Sequence, residues 1–558
     1  MNYKKILVGI LIAGTLSACS KRLDRLLVNP NYPAPNTADV DLYLNYVEVN
    51  FEYFYNTASD YGGQLTRQQV MFGPLYSNAY SPNSFDGIWT TAYAEVMKNA
   101  NALIPLAQEQ KKYIQSGIAR TLKAYVLITL VDDFGDVPFT EADSATITNP
   151  KTDGGASIYA AALSLLDSAI ADFSVTDIAE GPTNDLFYGG DASKWITLAK
   201  TLKLKAYMQE RLVTDVTSTV TSLITDGDLI DATDGSEDFT FKFSTTNSAP
   251  DSRHPHYIVN YTSTGAGDYI GTYFLWAVCY EKGTYIDPRR RFYFYRQTTD
   301  YGAVNQQTAP CAFNVRPSYF SPDMPFCLPA ESGGYWGRDH GDNSGIPPDG
   351  QLRTAWGIYP AGGEYDASQG APISDIYTDQ SGANGTGIDP IWLASFTYFL
   401  EAEGALILGT PGDPRALLEQ GIRTSIDKVI NFPASAGVNV QALYPDLYPT
   451  QDIIDKYVKT VLDLYDAATD NDAKLNIIMK DYYLAAWGNG VEPYNNYRRT
   501  GKPDNMQWTV YSANPGFFIR SFFYPSVFVN RNLNAPTQKV AGAANKVFWD
   551  TNPDNFVR

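Results

Sequence analysis

Histidine and cysteine are scarce in this chain, with three of the first and four of the second in 558 residues. That scarcity leaves little material for a metal centre, and neither a His-Glu-x-x-His helix nor cysteines at zinc-site spacing occur. His254 and His256 would share a face if their segment is a strand, but no spacing brings His340 to them. Gly-x-Ser-x-Gly and the Gly-rich phosphate loop are missing too, so the chain offers no nucleophile elbow or nucleotide cradle, and no cofactor is expected. Positive charge is also short, since 42 Lys and Arg stand against 61 Asp and Glu for a net charge of −19. Such a field repels nucleic acid, and it disfavours polyanionic glycans unless a local basic patch intervenes. Beyond the N-terminus no long apolar run appears. Segments 124–131 and 396–408 are short or broken by Glu401 and Glu403, so no later membrane span is expected.

The N-terminus itself reads as an export signal. Lys4 and Lys5 precede a short apolar run over residues 6–14, and Leu16-Ser17-Ala18-Cys19 follows directly. The tetrapeptide resembles a bacterial lipobox, which makes residues 1–18 the signal and Cys19 the lipidated N-terminus. Two or three acyl chains on one residue hold a protein lastingly to a membrane, at about 0.8 kcal/mol per buried methylene. Ser20-Lys21-Arg22 is basic where acidic residues often follow the cysteine of surface-displayed lipoproteins, so the leaflet of display stays open. Three cysteines remain, Cys279, Cys311 and Cys327. Either Cys311 and Cys327 close a short loop in an oxidising compartment, or all three are buried thiols.

What is present in quantity is amphipathic helix. Val40, Tyr43, Leu44, Val47, Phe51 and Phe54 recur at helical spacing after Thr37, a candidate cap. Further helices are expected over 85–110, 114–133, 157–173 and 192–212, and later over 391–408, 415–430, 453–468 and 473–487. Gly135 suits the end of the third. These pair as four hairpins that resemble tetratricopeptide units without a strict 34-residue period. Between the halves, residues 235–390 lose the helical period and fill with Gly, Pro, Asn, Ser and Tyr; only short strands fit, at 239–243 and 291–295. The expected fold is therefore mainly α: tetratricopeptide-like helix hairpins with a long irregular, loop-rich insert carrying short strands. It forms one domain over 19–558, made of an N-terminal helical part (19–234), a ligand-binding insert (235–390) and a C-terminal helical part (391–558).

Several distant segments carry a resemblance to a known family. They include Val28-Asn29-Pro30-Asn31-Tyr32-Pro33, Trp89-Thr90-Thr91-Ala92-Tyr93, and above all Leu130-Val131-Asp132-Asp133-Phe134-Gly135-Asp136-Val137-Pro138. Later come Lys194-Trp195, Ile286-Asp287-Pro288-Arg289, Phe399-Leu400-Glu401-Ala402-Glu403, and Glu492-Pro493-Tyr494 through Arg498-Arg499-Thr500-Gly501. In combination the chain is similar to the SusD/RagB nutrient-uptake lipoproteins. The resemblance implies an outer-membrane protein held by its lipid anchor, facing the cell exterior. It would capture oligosaccharides or polysaccharides without chemistry and deliver them to a partner SusC-like TonB-dependent transporter. Trp89, Tyr93, Tyr125 and Trp195 lie on apolar stripes and read as core, while Arg498 and Arg499 suit a buried pair with Glu401 or Glu403.

Sugar rings pack C–H faces on flat aromatic side chains and present hydroxyls to amide, carboxylate or guanidinium partners. With 40 Tyr and 9 Trp the chain has platforms to spare. By the resemblance, ligand contacts come from 67–80 and 261–365. The candidates are Tyr76, Asn78 and Tyr80 in the first stretch, and Tyr335, Trp336, Arg338, Asp339 and Trp356 in the second. Gly-flanked Tyr335-Trp336 ranks first, on the expectation that both rings are open to solvent and that Trp336→Ala weakens glycan retention without unfolding. Two other readings stand beside this one: a peptide-binding lipoprotein of the same transporter-lid type, and a glycoside hydrolase built on a carboxylate pair among 61 acidic residues.

Overall fold

A computed structural model describes residues 39–299, 315–327, 333–343, 349–377 and 381–558. The signal segment, Cys19, Thr37 and Cys311 lie outside the described residues.

The architecture is mainly helical. Helix α1 (Val40–Leu65) starts one residue after Asp39, whose carboxylate accepts the Asp41 N–H at 2.8 Å, so the cap sits two residues later than Thr37. A π-helical turn, Thr91–Met97, leads into α2 (Lys98–Glu109), which packs against α3 (Tyr113–Phe134). Next come α4 (Gly155–Phe173) and α5 (Ala192–Glu210). The second half contributes α6 (Ala394–Leu408), α7 (Pro414–Ser435), α8 (Gln451–Ala467), α9 (Asn471–Ala485) and α10 (Val491–Thr500). Acidic and hydroxyl caps open four more of these: Asp191 on α5, Asp413 on α7, Thr450 on α8 and Asp470 on α9 each accept a backbone N–H of the first turn. Left-handed Gly409 and Gly501 stop α6 and α10.

Helix α4 is long and apolar enough to cross a membrane by length and composition, which the sequence reading did not anticipate. Its Ile158, Tyr159, Ala162, Leu166, Ala169 and Phe173 form a helical stripe buried against α3 and α5. Asp172, on that stripe, accepts from Ser116 Oγ at 2.6 Å and Arg120 Nε at 2.8 Å, so its charge enters the core already partnered.

In the middle region the strands are β1 (Phe239–Lys242), β2 (Phe294–Tyr295), β3 (Ala355–Trp356) and β4 (Ile388–Trp392). β1 pairs antiparallel with β4, and β2 with β3. The expected strand at 291–295 is half right: Arg290–Tyr293 turns as one helical turn before β2 begins. His254 and His256 are not on a strand. His254 caps the short helix Pro255–Asn260, its Nδ1 accepting the His256 N–H.

The larger hydrophobic core runs from Val40 to Val557 and draws on both helical halves, beside a small cluster around Tyr257, Tyr261 and Tyr295. Helix α10 is its keystone, with all ten residues buried although they include Glu492, Arg498 and Arg499. Arg499 Nη2 meets Glu403 Oε2 at 2.6 Å, and Arg211 Nη2 meets Glu403 Oε1 at 2.8 Å, the buried pairing expected of Arg499. Arg498 instead donates to the Asp132 and Arg520 carbonyls and lies 3.6 Å over the Tyr494 ring. Lys205 of α5 pairs with Glu492, and Asn495 donates to Asp132 Oδ2 at 2.8 Å. Cys279 is a buried free thiol, while Cys327 is disulfide-bonded.

Candidate functional site

The chain leaves α1 through Arg67, whose φ of 66° turns it sharply into the 67–80 loop. The Arg67 guanidinium is buried and acts as a hub: Nε donates to Gln507 O at 2.9 Å, Nη1 to Leu65 O at 2.6 Å, and Nη2 to Tyr76 OH at 3.1 Å. Tyr76 OH also meets His340 Nε2 at 3.1 Å, and the Tyr76 N–H donates to Pro515 O at 2.9 Å. These bonds fix the Tyr76 ring as the back wall of a surface cleft of about 410 Å³.

The rest of that cleft comes from the C-terminal segment after α10. Trp508 and Phe517 supply rings, Asn514 and Asn555 exposed amides, and Arg558 a guanidinium lying 4.6 Å over the Trp508 ring. Tyr319 stacks beside Trp508, with centroids 6.0 Å apart and planes 13° apart, and its hydroxyl donates to Thr509 O. Phe517 is 40% exposed. Among the described residues no Asp or Glu side chain lines this cleft. Ring faces flanked by amides and a guanidinium are the complement of a neutral sugar.

The same loop offers a second ring on its other side. Phe72 is 43% exposed and packs edge-on against Tyr269, 6.0 Å away. Behind the pair lies Arg338, 5.3 Å from the Phe72 ring and 5.0 Å from Tyr269, held by Asp342 at 3.0 Å. Arg338 therefore braces two rings from within, being itself buried.

The other sequence candidates take different places. Asn78 is exposed, and Tyr80 is half-buried with its hydroxyl on Gln64 Oε1 at 2.7 Å. Tyr335, Trp336 and Trp356 are each 1% exposed, so the open platforms expected there are absent. Tyr335 sits between Arg290 and Arg296 with its hydroxyl on Asp366. Trp356 is stacked between His256 at 3.8 Å and Trp487 at 4.0 Å. Trp336 is stitched through its backbone to Thr354. The glycines beside Tyr335-Trp336 explain the inversion. A Cβ on Gly334 would stand 1.9 Å from Thr298 O, and one on Gly337 would stand 2.0 Å from Ile270 O. Glycine serves there to bring backbones together, not to expose the aromatics. Asp339 is buried as well. It accepts from Gln507 Nε2 at 2.7 Å and from the Cys327 N–H, while burial pushes its carboxyl up to about 6.

Trp508, Phe517, Asn514 and Phe72 were not singled out from the sequence. The signal existed: after Gly501 the helical period stops, and Trp508 to Phe518 interleaves rings with Asn514-Pro515-Gly516, the same turn-and-aromatic texture as the middle region.

Helix hairpins carrying a loop-built, aromatic-lined surface cleft define a helical binding scaffold. The chain belongs to the SusD/RagB family. Residues 37–309 match the family model described as starch-binding associating with outer membrane, and residues 366–548 match that of the SusD and RagB outer membrane lipoproteins. A comparison with the curated proteins gives no match. Among solved structures, a SusD homologue from Bacteroides fragilis NCTC 9343 superposes with a TM-score of 0.64 at 15% identity, covering 92% of this chain and 99% of its own. A SusD/RagB family protein from Bacteroides thetaiotaomicron VPI-5482 also gives 0.64, at 19% identity, over 93% and 100%. A chitin-binding SusD homologue from Flavobacterium johnsoniae gives 0.59 at 18% identity, over 92% and 100%. At these identities the likeness is one of fold.

Proposed function

We infer that this protein is a cell-surface glycan-binding lipoprotein. It captures neutral oligosaccharides at the Tyr76–Trp508–Phe517 cleft and hands them to a partner SusC-like TonB-dependent transporter, tethered meanwhile through Cys19. The observation that carries this reading is the cleft itself, where exposed ring surface, two free-standing amides and a guanidinium meet without a carboxylate among its lining side chains. That composition suits recognition and lacks the acid and nucleophile or base that glycoside hydrolysis requires. Family membership and the chitin-binding relative of the same fold support a glycan as the cargo.

The test is affinity electrophoresis of the chain beginning after Cys19 through gels containing neutral polysaccharides, with chitin oligosaccharides as soluble competitors. Retardation by at least one glycan is expected. No retardation, together with clear binding of peptides, would transfer the cleft to the peptide-capturing reading. Turnover of any glycan by the clean protein would instead support a glycosidase.

A further inference from the structure

A second hollow of about 410 Å³ opens where the 280–291 turn meets the connection into α8, sharing no lining residue with the Trp508 cleft. Tyr285 stands on its wall 46% exposed, and half-buried Tyr448 stands opposite in the lining, its hydroxyl donating to Ile430 O at 3.3 Å. The hollow thus offers ring surface of its own.

Its charge runs against that of the chain. Arg290, Arg291 and Lys456 all line it, in a protein of net charge −19. Arg291 Nη1 donates to Asp366 O at 2.8 Å and Ser368 Oγ at 2.6 Å, and Lys456 Nζ is held by Asp452 at 2.6 Å. Arg290 differs. Among the described residues it has neither a hydrogen bond nor an ion pair; the Tyr335 ring lies 5.2 Å from its guanidinium carbon, and Asp366, already bound to Arg296, favours its charge from farther off. The guanidiniums around it are all satisfied: Arg289 by Asp287 at 2.6 Å, and Arg296 by Asp366 at 2.7 Å. The acidic groups nearby do not supply a partner. Asp287 is taken by Arg289 and by Tyr457 OH at 3.0 Å, and Asp446 stands exposed at the rim. A half-desolvated guanidinium with five donors and no acceptor is the vacant half of a charge-assisted, bidentate pair.

We propose that this hollow binds a carboxylate-bearing sugar, a uronic acid residue within a glycan, with Arg290 donating to the carboxylate while the Tyr285 ring carries the C–H face of the sugar. A planar fork matches a carboxylate, and an adjacent ring selects a carboxylate mounted on a flat saccharide face over a mobile acidic side chain. The strongly negative surface admits one acidic residue at a local basic hollow and repels a polyanion, so the ligand is a largely neutral glycan with isolated acidic units. This extends glycan binding to a second site and does not need the Trp508 cleft to be occupied.

The mature lipoprotein in non-ionic detergent is titrated by calorimetry with glucuronate- and galacturonate-containing disaccharides, their uncharged counterparts, and an acidic peptide. Uronate disaccharides should bind, weakening as salt rises, and their uncharged counterparts should bind at least about tenfold more weakly. Arg290→Gln should raise the uronate Kd at least about tenfold. Tyr285→Ala, at a side chain 46% exposed, should leave the melting temperature unchanged and weaken both uronates while leaving neutral-glycan retention by the Trp508 cleft unchanged. Absence of uronate binding, or uronate binding by the Arg290→Gln and Tyr285→Ala variants as tight as that of the wild type, overturns the proposal even if neutral glycans still bind. Tighter binding of the acidic peptide than of either uronate overturns the assignment to sugar. Loss of neutral-glycan binding alone speaks against the Trp508 cleft and not against this one.

Discussion

Exchanging one open ring and one sunken ring for alanine should separate binding from folding in this protein. Phe517 shows 40% of its surface to solvent. On a side chain of roughly 200 Å² that leaves about 80 Å² of ring open, and a sugar resting on one side covers about half of it. At about 25 cal/mol per Å² the contact is worth about 1 kcal/mol, so Phe517→Ala should raise the glycan Kd about fivefold and leave the melting temperature unchanged. Trp336 is 1% exposed, and Trp336→Ala should cost about 3–5 kcal/mol through the cavity it leaves. With an unfolding entropy of about 2.1 cal/mol/K per residue, the chain carries about 1.2 kcal/mol/K, which converts the loss to a Tm fall of about 3–4 °C. Calorimetric melts and affinity electrophoresis on both variants give the four numbers. If Trp336→Ala weakens retention at unchanged Tm while Phe517→Ala does nothing, the cleft is misplaced and the reasoning from exposure fails.

Two further outcomes rest on buried charge. Burial pushes the Glu403 carboxyl up, but Arg499 and Arg211 outweigh it and hold it below the usual range. Its stabilisation is therefore present above the ordinary carboxyl value of about 4.3 and is lost as pH falls through the lower native one. Glu403→Gln should cost about 3–5 kcal/mol at pH 7, seen as a lowered Tm, with the gap to wild type closing below about pH 4; a gap constant with pH would deny the ion pair its role. Burial lowers His256, yet Asp60 at 3.2 Å and Asp268 at 2.7 Å outweigh it and raise the imidazole to about 10. The stability it supplies is complete below about pH 6.5 and disappears as pH rises through about 10. His256→Gln should thus destabilise at pH 6 and converge with wild type above pH 10, as followed by thermal melts; divergence with rising pH would reverse the sign.

The helical scaffold was legible because amphipathic period is a local property. Val40 to Phe54 and Ile158 to Phe173 announce their buried faces residue by residue, and the Arg499–Glu403 pair was one of the pairings expected of Arg498 and Arg499 with Glu401 or Glu403. The candidate binding surface was less so. Tyr335-Trp336 and Trp508 sit in equally irregular sequence, and only long-range packing decides which goes inside. Gly334 and Gly337 read as loop glycines, yet their missing side chains admit Thr298 and Ile270 backbone that is distant in sequence. Tyr76 was reachable from family resemblance, whereas the wall facing it comes from a segment about 430 residues away, grouped by sequence with the helices.

Helix α10, threaded between Asp132, Lys205 and Glu403, makes any hinge between the two halves expensive. A ligand of the Trp508 cleft would meet an open palm with fixed fingers, unlike proteins that shut like a clam around cargo. With the described walls already held in place, a ligand has little left to order there, and the proposed capture would be fast and modest in strength. Letting go would then require no unlocking step, which suits the proposed hand-over to a transporter.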